Sequence, residues 1–417
     1  MKTSNQSRRK FIHQFSIGSL AALSLPAIAS SGEPVLPAFA DDEAYWELVK
    51  KQFAVPSNLI MLNAANLCPS PFSISSKAFE YSANLNKDVS FQYRAVFTER
   101  RKQSLALLAD FVGADKEEIG ITRNTSEANC IIVHGLDLKA GDEVIIWDQN
   151  HPSNEASWIN RSKRFGFTVK KVSVPANPSS GQDLVASFEK AITSKTKVIA
   201  FSHISNTSGI ALPAKEICAF AKTKGILTLV DGAQSLGAVL LNLHEMGCSF
   251  YTASTHKWLM GPLENGLLYV AKEHIEKIWP NIIGAGWKES KTVDENVCAL
   301  GQRNDPTTAV LPDTIEFHQA IGKKNIEDRI AKLCAYLKEQ IKAKIPQATF
   351  ITPISPQLSG GIVILSLPGK DSREVYQKLY ANHGIACAAT GGIRLSPHVY
   401  NTLKDLDAVV GALASLA

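Results

Sequence analysis

Lys197-Val198-Ile199-Ala200-Phe201-Ser202 and Gly225-Ile226-Leu227-Thr228-Leu229-Val230 are two short, nearly continuous apolar runs that decide the fold. A third run of the same kind is Glu143-Val144-Ile145-Ile146-Trp147. Runs of this length, rich in β-branched residues, are typical of strands that are buried on both faces of a sheet. Residues 213–224, between the first two runs, carry apolar side chains at helical spacing. This alternation of strand and helix predicts an α/β fold with a parallel sheet.

A different pattern follows residue 300. Helical signals at 314–322 and 326–344 precede a strand-like segment at 361–367, a helix at 372–383 and a terminal helix after residue 401. The mixture predicts a second, smaller α+β domain, and a chain of 417 residues is long enough for two cores. We predict a leader at 1–40, an N-terminal segment at 41–60 that packs on the small domain, a large domain at 61–300 and the small domain at 301–417.

The first forty residues contain a targeting pattern. Ser7-Arg8-Arg9-Lys10-Phe11-Ile12 places two arginines before an apolar, small-residue stretch at 15–29, which is too short for a membrane span. This predicts a twin-arginine export signal, export of a folded protein to the periplasm, and no stable membrane anchor. The alternative is a disordered basic tail. Ala27-Ile28-Ala29 and Ala38-Phe39-Ala40 both suit a signal peptidase, and we prefer the cut after Ala40 because two aspartates follow it.

Composition and charge exclude several classes of protein. With 45% hydrophobic and 20% charged residues, the chain is globular rather than disordered or fibrous. The formal charge of +5 includes four cations of the leader, so the mature protein is close to neutral and gives no argument for nucleic-acid binding. Its seven cysteines are scattered, without metal-type spacing. We expect no metal site and no disulfide on which the fold depends.

Lys257 is the residue that points to a cofactor. It lies in Ser254-Thr255-His256-Lys257-Trp258, 26 residues after the aspartate of Val230-Asp231-Gly232-Ala233-Gln234. A lysine that forms a Schiff base and a carboxylate that binds a protonated pyridine nitrogen are the minimum equipment for using pyridoxal phosphate. Gln234 could donate to the ring oxygen. Taken singly, Asp231 could equally be a turn residue and Lys257 a solvated charge, so the prediction rests on their combination.

Further polar residues could hold the rest of such a cofactor. Thr125 and Ser126 precede an amphipathic segment, where hydroxyls and backbone N–H groups at a helix N-terminus can bind phosphate. Ser254 and His256 flank the lysine and could bind phosphate as well. His151 follows a buried strand and could stack on a pyridine ring. The alternatives are an ordinary helix cap and a loop histidine with a satisfied hydrogen bond.

Together these motifs resemble the class V aminotransferase family of fold-type I pyridoxal phosphate enzymes, which contains cysteine desulfurases, kynureninases and isopenicillin N epimerase. The resemblance runs from about residue 62 to the C-terminus. Its motifs lie at Thr125-Ser126, His151, 203–206, 231–234, 254–257, Gly261-Pro262 and 394–402. The resemblance implies a large domain with a mostly parallel, seven-stranded sheet, a smaller α+β domain, and a homodimer with active sites at the subunit interface.

The resemblance also implies a role for each site residue. Lys257 would be the Schiff-base lysine and later the proton carrier, Asp231 would pair with the pyridine nitrogen, and His151 would stack on the ring. Gln234 would contact the ring oxygen. The phosphate would be held by Thr125, Ser126, Ser254 and His256.

Two more residues would bind the substrate. Asn206 would lie near the ring oxygen and the substrate carboxylate, and Arg394 would bind the α-carboxylate. A planar guanidinium suits this task because it can hold a carboxylate through two hydrogen bonds.

Departures from the family pattern limit the prediction of the reaction. Gln302 replaces the threonine that a neighbouring subunit usually offers to phosphate. Cys387 lies seven residues before Arg394, which leaves little loop for a mobile sulfur acceptor, so we predict a buried core residue. We expect an aminotransferase-type enzyme that acts on an amino acid or a peptide-borne amino acid in the periplasm. The alternatives are an epimerase, a cysteine desulfurase or C–S lyase, and, least expected, an inactive cofactor-binding protein.

Overall fold

The three apolar runs form strands at the centre of a large sheet. A computed structural model describes residues 36–284, 287 and 289–417, so most of the predicted export signal lies outside the described residues. The strands are β1 Ile60–Met61, β2 Ile119–Thr122, β3 Glu143–Trp147, β4 Thr168–Val172, β5 Thr196–Ser202, β6 Leu227–Asp231, β7 Phe250–Ser254, β8 Gly266–Val270, β9 Thr349–Phe350, β10 Val363–Ser366, β11 Ile385–Ala386, β12 Ala388–Ala389 and β13 Ile393–Leu395.

The large sheet has seven strands in the order β2-β8-β7-β6-β5-β3-β4. Strands β3 to β7 are all parallel to one another, whereas β8 is antiparallel to both β2 and β7. The predicted fold class, an α/β protein with a mostly parallel large sheet, is therefore confirmed. Because β5, β6 and β7 are parallel neighbours, their carboxyl ends lie at one edge of the sheet.

Fourteen α-helices of the described residues alternate with these strands and with those of the C-terminal part. They are α1 Glu43–Lys50, α2 Phe72–Lys87, α3 Phe91–Val112, α4 Thr125–Gly135, α5 Pro152–Phe165, α6 Gly181–Glu189, α7 Ala214–Thr223, α8 Leu243–Met246, α9 Val293–Val297, α10 Asp305–Thr308, α11 Leu311–Ile321, α12 Lys323–Lys344, α13 Ser372–His383 and α14 Leu403–Leu416. The helix predicted at 213–224 is α7, which connects β5 to β6 and completes a βαβ unit.

Strand β5 shows why the sheet is buried on both faces. Ile199 and Phe201 pack into one hydrophobic cluster, while Val198 and Ala200 pack into another on the opposite face. All four side chains are fully buried. Since successive side chains of a strand point to opposite faces, a continuous apolar run supplies two cores at once. Each large aliphatic side chain buried in this way stabilises the fold by about 1.5–3 kcal/mol.

The C-terminal part contains a smaller, antiparallel sheet in the order β12-β13-β10-β9. Its residues share a third hydrophobic cluster with α12 and α14, as expected for an α+β unit. The N-terminal helix α1 belongs to the same cluster through Trp46 and Val49. A buried Arg329 joins these parts, because its Nη1 donates to Glu43 Oε1 at 2.5 Å and its Nη2 to the carbonyl of Asn401 at 2.8 Å. The domain boundaries themselves stay a prediction.

The chain just before α1 also has defined contacts. The ring of Phe39 lies 5.2 Å from Tyr45 and 6.0 Å from Trp46, edge to face in both cases. None of the helices in the described part of the chain combines the length and apolar character that a membrane span needs. The seven cysteines are unpaired.

Candidate active site

Asp231 is the last residue of β6 and is only 3% exposed. Its Oδ2 accepts hydrogen bonds from Asn129 Nδ2 at 2.9 Å and from Asn154 Nδ2 at 3.3 Å, and its Oδ1 accepts from the backbone N–H of Ala233 at 3.1 Å. Thr252 in turn donates to Asn129 Oδ1 at 2.7 Å. Four elements therefore fix the orientation of one carboxylate, which is the anion that a protonated pyridine nitrogen requires.

The two asparagines of this arrangement are functional candidates that the sequence did not reveal. Asn129 is 1% exposed on α4 and Asn154 is fully buried on α5. The Oδ1 atom of Asn154 has no hydrogen-bond partner within the described part of the chain. Asn129 does follow Thr125 by four residues, one helical turn, so the helix periodicity could have placed both on the same face.

Lys257 lies in the turn that follows β7, close to Asp231. Burial lowers the pKa of its amine, and the nearby Arg394 lowers it further, while the Asp231 carboxylate partly opposes both effects. A lower pKa increases the fraction of neutral amine, which is the form that can attack a carbonyl or accept a proton. The position of Lys257 thus agrees with the role that its sequence motif implies.

Three of the four predicted phosphate ligands meet at the N-terminus of α4. The backbone N–H of Thr125 donates to Ser254 Oγ at 2.8 Å, and the hydroxyls of the two residues are 2.6 Å apart. Ser126 is exposed and donates to Ser153 Oγ at 3.1 Å. An eleven-residue helix that begins at these hydroxyls presents the positive end of its dipole to them, which favours phosphate.

The two histidines of the site differ in their contacts. Burial and the neighbouring Lys257 lower the pKa of His256 to about 4, so its imidazole is neutral at physiological pH. Its Nδ1 is buried and has no partner in the described residues. His151 caps α5, with its Nδ1 2.8 Å from Ser153 Oγ. Surrounding protein atoms and the charges of Lys257 and Arg394 lower the pKa of His151, although much of the side chain is open to solvent.

Gln234 is held at both ends of its amide. Its Nε2 donates to the carbonyl of Ala65 at 2.9 Å, and its Oε1 accepts from Trp258 Nε1 at 2.8 Å. One amide N–H remains for a ring oxygen. The structure therefore adds a second task to the predicted one, because this side chain connects the Lys257 turn to the segment that contains Ala65.

Arg394 is a buried cation without an anion. It is 4% exposed on β13, and its Nη1 and Nη2 donate to the carbonyl of Asn206 at 3.3 Å and to Asn63 Oδ1 at 3.1 Å. Its Nε has no partner, and none of the ion pairs of the described residues includes it. Burial lowers the pKa of its guanidinium to about 10. Asn206 thus contacts Arg394 through its backbone, and no hydrogen bond of the described residues uses its side chain.

Two further residues from the sequence analysis, Cys387 and Gln302, bear on which reaction and which subunit contacts are possible. Cys387 is 3% exposed, and burial raises the pKa of its thiol to about 12, so it is a core residue in this conformation. Gln302 is exposed and accepts from Arg94 Nη2 of the same chain at 3.0 Å. Whether it also contacts a partner subunit stays a prediction.

One cluster of possible metal ligands lies away from the site. Oxygen or nitrogen atoms of Asp115, Glu118 and His244 are within 4.8 Å of one another. Glu118 already accepts from the backbone N–H groups of Asp115 and Lys272 and pairs with His244 Nε2 at 2.6 Å. These contacts explain its burial without an ion.

The side chains at the carboxyl edge of the sheet fit pyridoxal phosphate. Asp231 would hold the ring nitrogen and the N-terminus of α4 the phosphate, while His151 lies beside them. Two buried nitrogen atoms that have no hydrogen-bond partner among the described residues, Arg394 Nε and His256 Nδ1, indicate that the site needs a polar ligand to be satisfied.

Comparison with known proteins decides the family. The model of the family described as "Aminotransferase class-V" matches residues 67–409. The chain belongs to this family. The family depends on pyridoxal 5'-phosphate, and this is the cofactor of the protein. Class V relatives include the isopenicillin N epimerase of Streptomyces clavuligerus, which is 28% identical over 89% of this chain and 98% of its own length. A probable cysteine desulfurase of Pyrococcus abyssi is 27% identical over 89% of this chain and 97% of its own length.

Solved structures agree with the class V fold. The apo structure of a cysteine desulfurase from Thermococcus onnurineus matches with a TM-score of 0.78 and 24% identity, over 88% of this chain and 97% of that one. The complex of a cystine C–S lyase with its product cysteine persulfide matches with a TM-score of 0.79 and 23% identity, over 86% of this chain and 98% of that one. At these identities the likeness shows the fold alone.

Proposed function

We propose that this class V enzyme catalyses an aminotransferase-type reaction on an amino acid or a peptide-borne amino acid. The observation that carries the proposal is the placement of a buried Arg394, which no ion pair of the described residues includes, near a half-buried Lys257 and a buried Asp231. An α-amino acid brings a carboxylate and an amine on one carbon, and Arg394 and Lys257 offer a partner to each.

The residues would divide the work as follows. Arg394 and Asn206 bind the α-carboxylate and so orient the α-carbon. Lys257, with its lowered pKa, accepts the proton of that carbon and delivers it again. Asp231 holds a proton at the pyridine nitrogen, and His151 covers the ring. When bound, pyridoxal phosphate supplies a carbonyl for the amine and a ring that withdraws electrons from the α-carbon.

Two other reactions use the same residues. An epimerase returns the proton to the α-carbon from the opposite face, and 28% identity to an isopenicillin N epimerase over 89% of the chain favours this as the second candidate. A desulfurase or C–S lyase reaction is favoured by the other relatives. A desulfurase needs an accessible thiol as sulfur acceptor, and the burial of Cys387 argues against that form of the reaction.

Incubation of the purified protein with amino acids in deuterated water separates the candidates. With a keto acid supplied as amino acceptor, transamination yields a keto product and a new amino acid without release of ammonia. Epimerisation yields deuterium at an inverted α-carbon, desulfuration of cysteine yields alanine and transferred sulfur, and elimination yields sulfide, pyruvate and ammonia. Only the first outcome supports the proposal.

A second test addresses the lysine itself. The yellow absorbance of the bound cofactor should disappear in Lys257→Ala and persist in Lys215→Ala, an exposed lysine on α7. Unchanged absorbance in Lys257→Ala would refute the assignment of the lysine. An inactive, cofactor-binding protein would keep the absorbance and convert none of the amino acids.

We also propose that the enzyme works in the periplasm as a homodimer. The twin arginines of the leader support the location, and the family resemblance supports the dimer. Export should fail in the double variant Arg8→Lys, Arg9→Lys, as measured by fractionation of the cells. Sedimentation of the mature protein measures its oligomeric state, and a monomer that retains activity would contradict the dimer.

A further inference from the structure

Two buried polar side chains without an assigned role lie beside the turn that carries Lys257. Cys68, in the loop between β1 and α2, is 3% exposed, and Tyr400, between β13 and α14, is 3% exposed as well. Cys68 Sγ and Tyr400 Oη are 3.4 Å apart and form a hydrogen bond. Both belong to the hydrophobic cluster of the C-terminal part. Because a polar group is costly to bury without a partner, this contact is the one that satisfies both groups.

The same two residues are connected to the chain on either side of the lysine. The backbone N–H of Cys68 donates to the carbonyl of His256 at 2.9 Å. His398 Nε2 donates to the carbonyl of Trp258 at 2.9 Å, and the His398 ring stacks on the Tyr400 ring with 5.4 Å between the centroids. The thiol and the phenol therefore meet next to the lysine, one through the residue that precedes it and the other through the residue that follows it.

The connection through His398 does not depend on pH in the working range. Burial lowers the pKa of His398 to about 3, so its imidazole is neutral at physiological pH. Its Nδ1 accepts from the backbone N–H of Val399 at 2.7 Å, which leaves the ring hydrogen on Nε2 for the carbonyl of Trp258. A single tautomer thus holds the lysine turn, and no charge is added to the site.

The thiol is close to the lysine amine and stays protonated. Burial raises the pKa of Cys68 to about 12, although the contact with Tyr400 and the charge of Lys257 oppose this effect. The influence is mutual, because Cys68 is among the groups that act on the pKa of Lys257. Burial also raises the pKa of Tyr400, so its O–H is retained. The lysine amine therefore has a neutral sulfur as a neighbour, and a neutral sulfur is a weak hydrogen-bond acceptor.

We propose that the pair of Cys68 and Tyr400 positions the amine of Lys257. The Tyr400 O–H donates to Cys68 Sγ and fixes the sulfur, and the sulfur accepts one N–H of the amine. The nitrogen lone pair stays free to accept the α-proton, while the amine loses part of its rotational freedom. Both are positioning residues, since they act through the lysine. The inference rests on the proposed function, in which this amine accepts and returns the proton of the α-carbon.

Capture of pyridoxal phosphate by the mature apoprotein, followed by absorbance over a range of pH, tests the contact without a substrate. An acceptor for N–H favours the ammonium form of the lysine. Cys68→Ala should therefore move the pH midpoint of capture downwards and make capture about threefold faster on the acidic side of the midpoint. Cys68→Ser keeps an acceptor and should behave like the wild type. Cys334→Ala, which alters a buried cysteine on α12, should lower stability without moving the midpoint.

Turnover should change in the opposite direction. Because the amine is less restrained in Cys68→Ala, kcat should fall about tenfold while KM for the amino acid changes little. Tyr400→Phe keeps the ring that stacks on His398 and loses only the O–H, so it should lower kcat severalfold. The double variant should be no slower than Cys68→Ala alone, because the phenol acts through the sulfur.

Three results would overturn the proposal: an unchanged midpoint in Cys68→Ala, additive effects of the two substitutions on kcat, or a loss of activity in Cys68→Ser as large as in Cys68→Ala. If Cys68→Ala does not fold, Tyr400→Phe decides, because it keeps the stacked ring and should move the midpoint in the same direction. A wild-type protein that forms no keto product would refute the proposed function, whereas the midpoint of capture would still show whether the pair acts on Lys257.

Discussion

Asp231 and Arg394 carry opposite charges at the same site and are buried to the same degree, 3% and 4% exposed, yet their surroundings differ. Both carboxylate oxygens of Asp231 accept hydrogen bonds, and its donors are themselves held in place. Arg394 has two long contacts to neutral oxygens and an Nε without a partner. The anion is part of the finished fold, whereas the cation is kept in an unfavourable state that a ligand can relieve.

In the proposed reaction, this difference suits the two charges to different tasks. A group that must stay in one state throughout is best fixed by the fold, and Asp231 is such a group. A group that recognises the substrate gains most if its charge is unsatisfied before binding. Four substitutions test this difference between the two charges.

The largest effect is expected for Asp231→Asn. Two buried amide donors would then face another amide, and the pyridine nitrogen would lose its counter-charge, so activity should fall about a thousandfold. The free energy of unfolding should also decrease, by about 1–3 kcal/mol for a mispaired buried polar group. Turnover assays and urea titrations measure the two effects. Asp110→Asn, an exposed aspartate on α3, is the matched control.

Arg394→Met should separate binding from stability. Loss of two charge-assisted hydrogen bonds should weaken the binding of an amino acid about a hundredfold. The free energy of unfolding without ligand should stay equal or rise, because a buried, unpaired charge is replaced by an apolar side chain of similar length. A loss of stability as large as that of Asp231→Asn would show that Arg394 is structural, and the comparison would fail.

Asn154→Ala tests whether the surroundings of Asp231 matter beyond the carboxylate itself. Oδ2 would keep Asn129 as a donor and lose its second one, which should lower the free energy of unfolding by about 2 kcal/mol. The affinity of the apoprotein for pyridoxal phosphate, measured by fluorescence quenching, should fall severalfold. Asn160→Ala on the exposed face of α5 should change neither quantity.

The smallest effect on stability is expected for His318. This side chain is buried like that of Arg394, but it can become neutral by losing a proton. Burial lowers its pKa to about 4, although its Nε2 lies 2.9 Å from the carbonyl of Gly237. The buried, neutral imidazole therefore contributes fully to the free energy of unfolding above pH 6.5. This contribution is lost as the pH falls towards 4, because the unfolded chain binds a proton at a higher pH than the folded chain does. Between pH 7.5 and 5.5 this amounts to about 1.4 kcal/mol. A urea titration at each pH should show a weaker dependence in His318→Gln, and an equal dependence would contradict the assignment.

The sequence predicted the parts of the site that end strands. Asp231 follows a buried apolar run, and parallel strands bring such ends to one edge. Lys257 was predicted from its motif and from its combination with Asp231. Asn129, Asn154 and Asn63 could not be predicted in this way, because their roles depend on which side chain of a helix or loop turns inward.

The contacts of Phe39 have a consequence for the maturation of the protein. A protease that cuts after Ala40 must draw Phe39 away from Tyr45 and Trp46, and Leu36, which packs against the same cluster, must leave with it. A cut after Ala29 leaves these contacts of Leu36 and Phe39 intact. If the chain is exported in its folded state, the cut should therefore fall after Ala29 and not after Ala40, the site that the sequence pattern favours. N-terminal sequencing of the periplasmic protein would distinguish them.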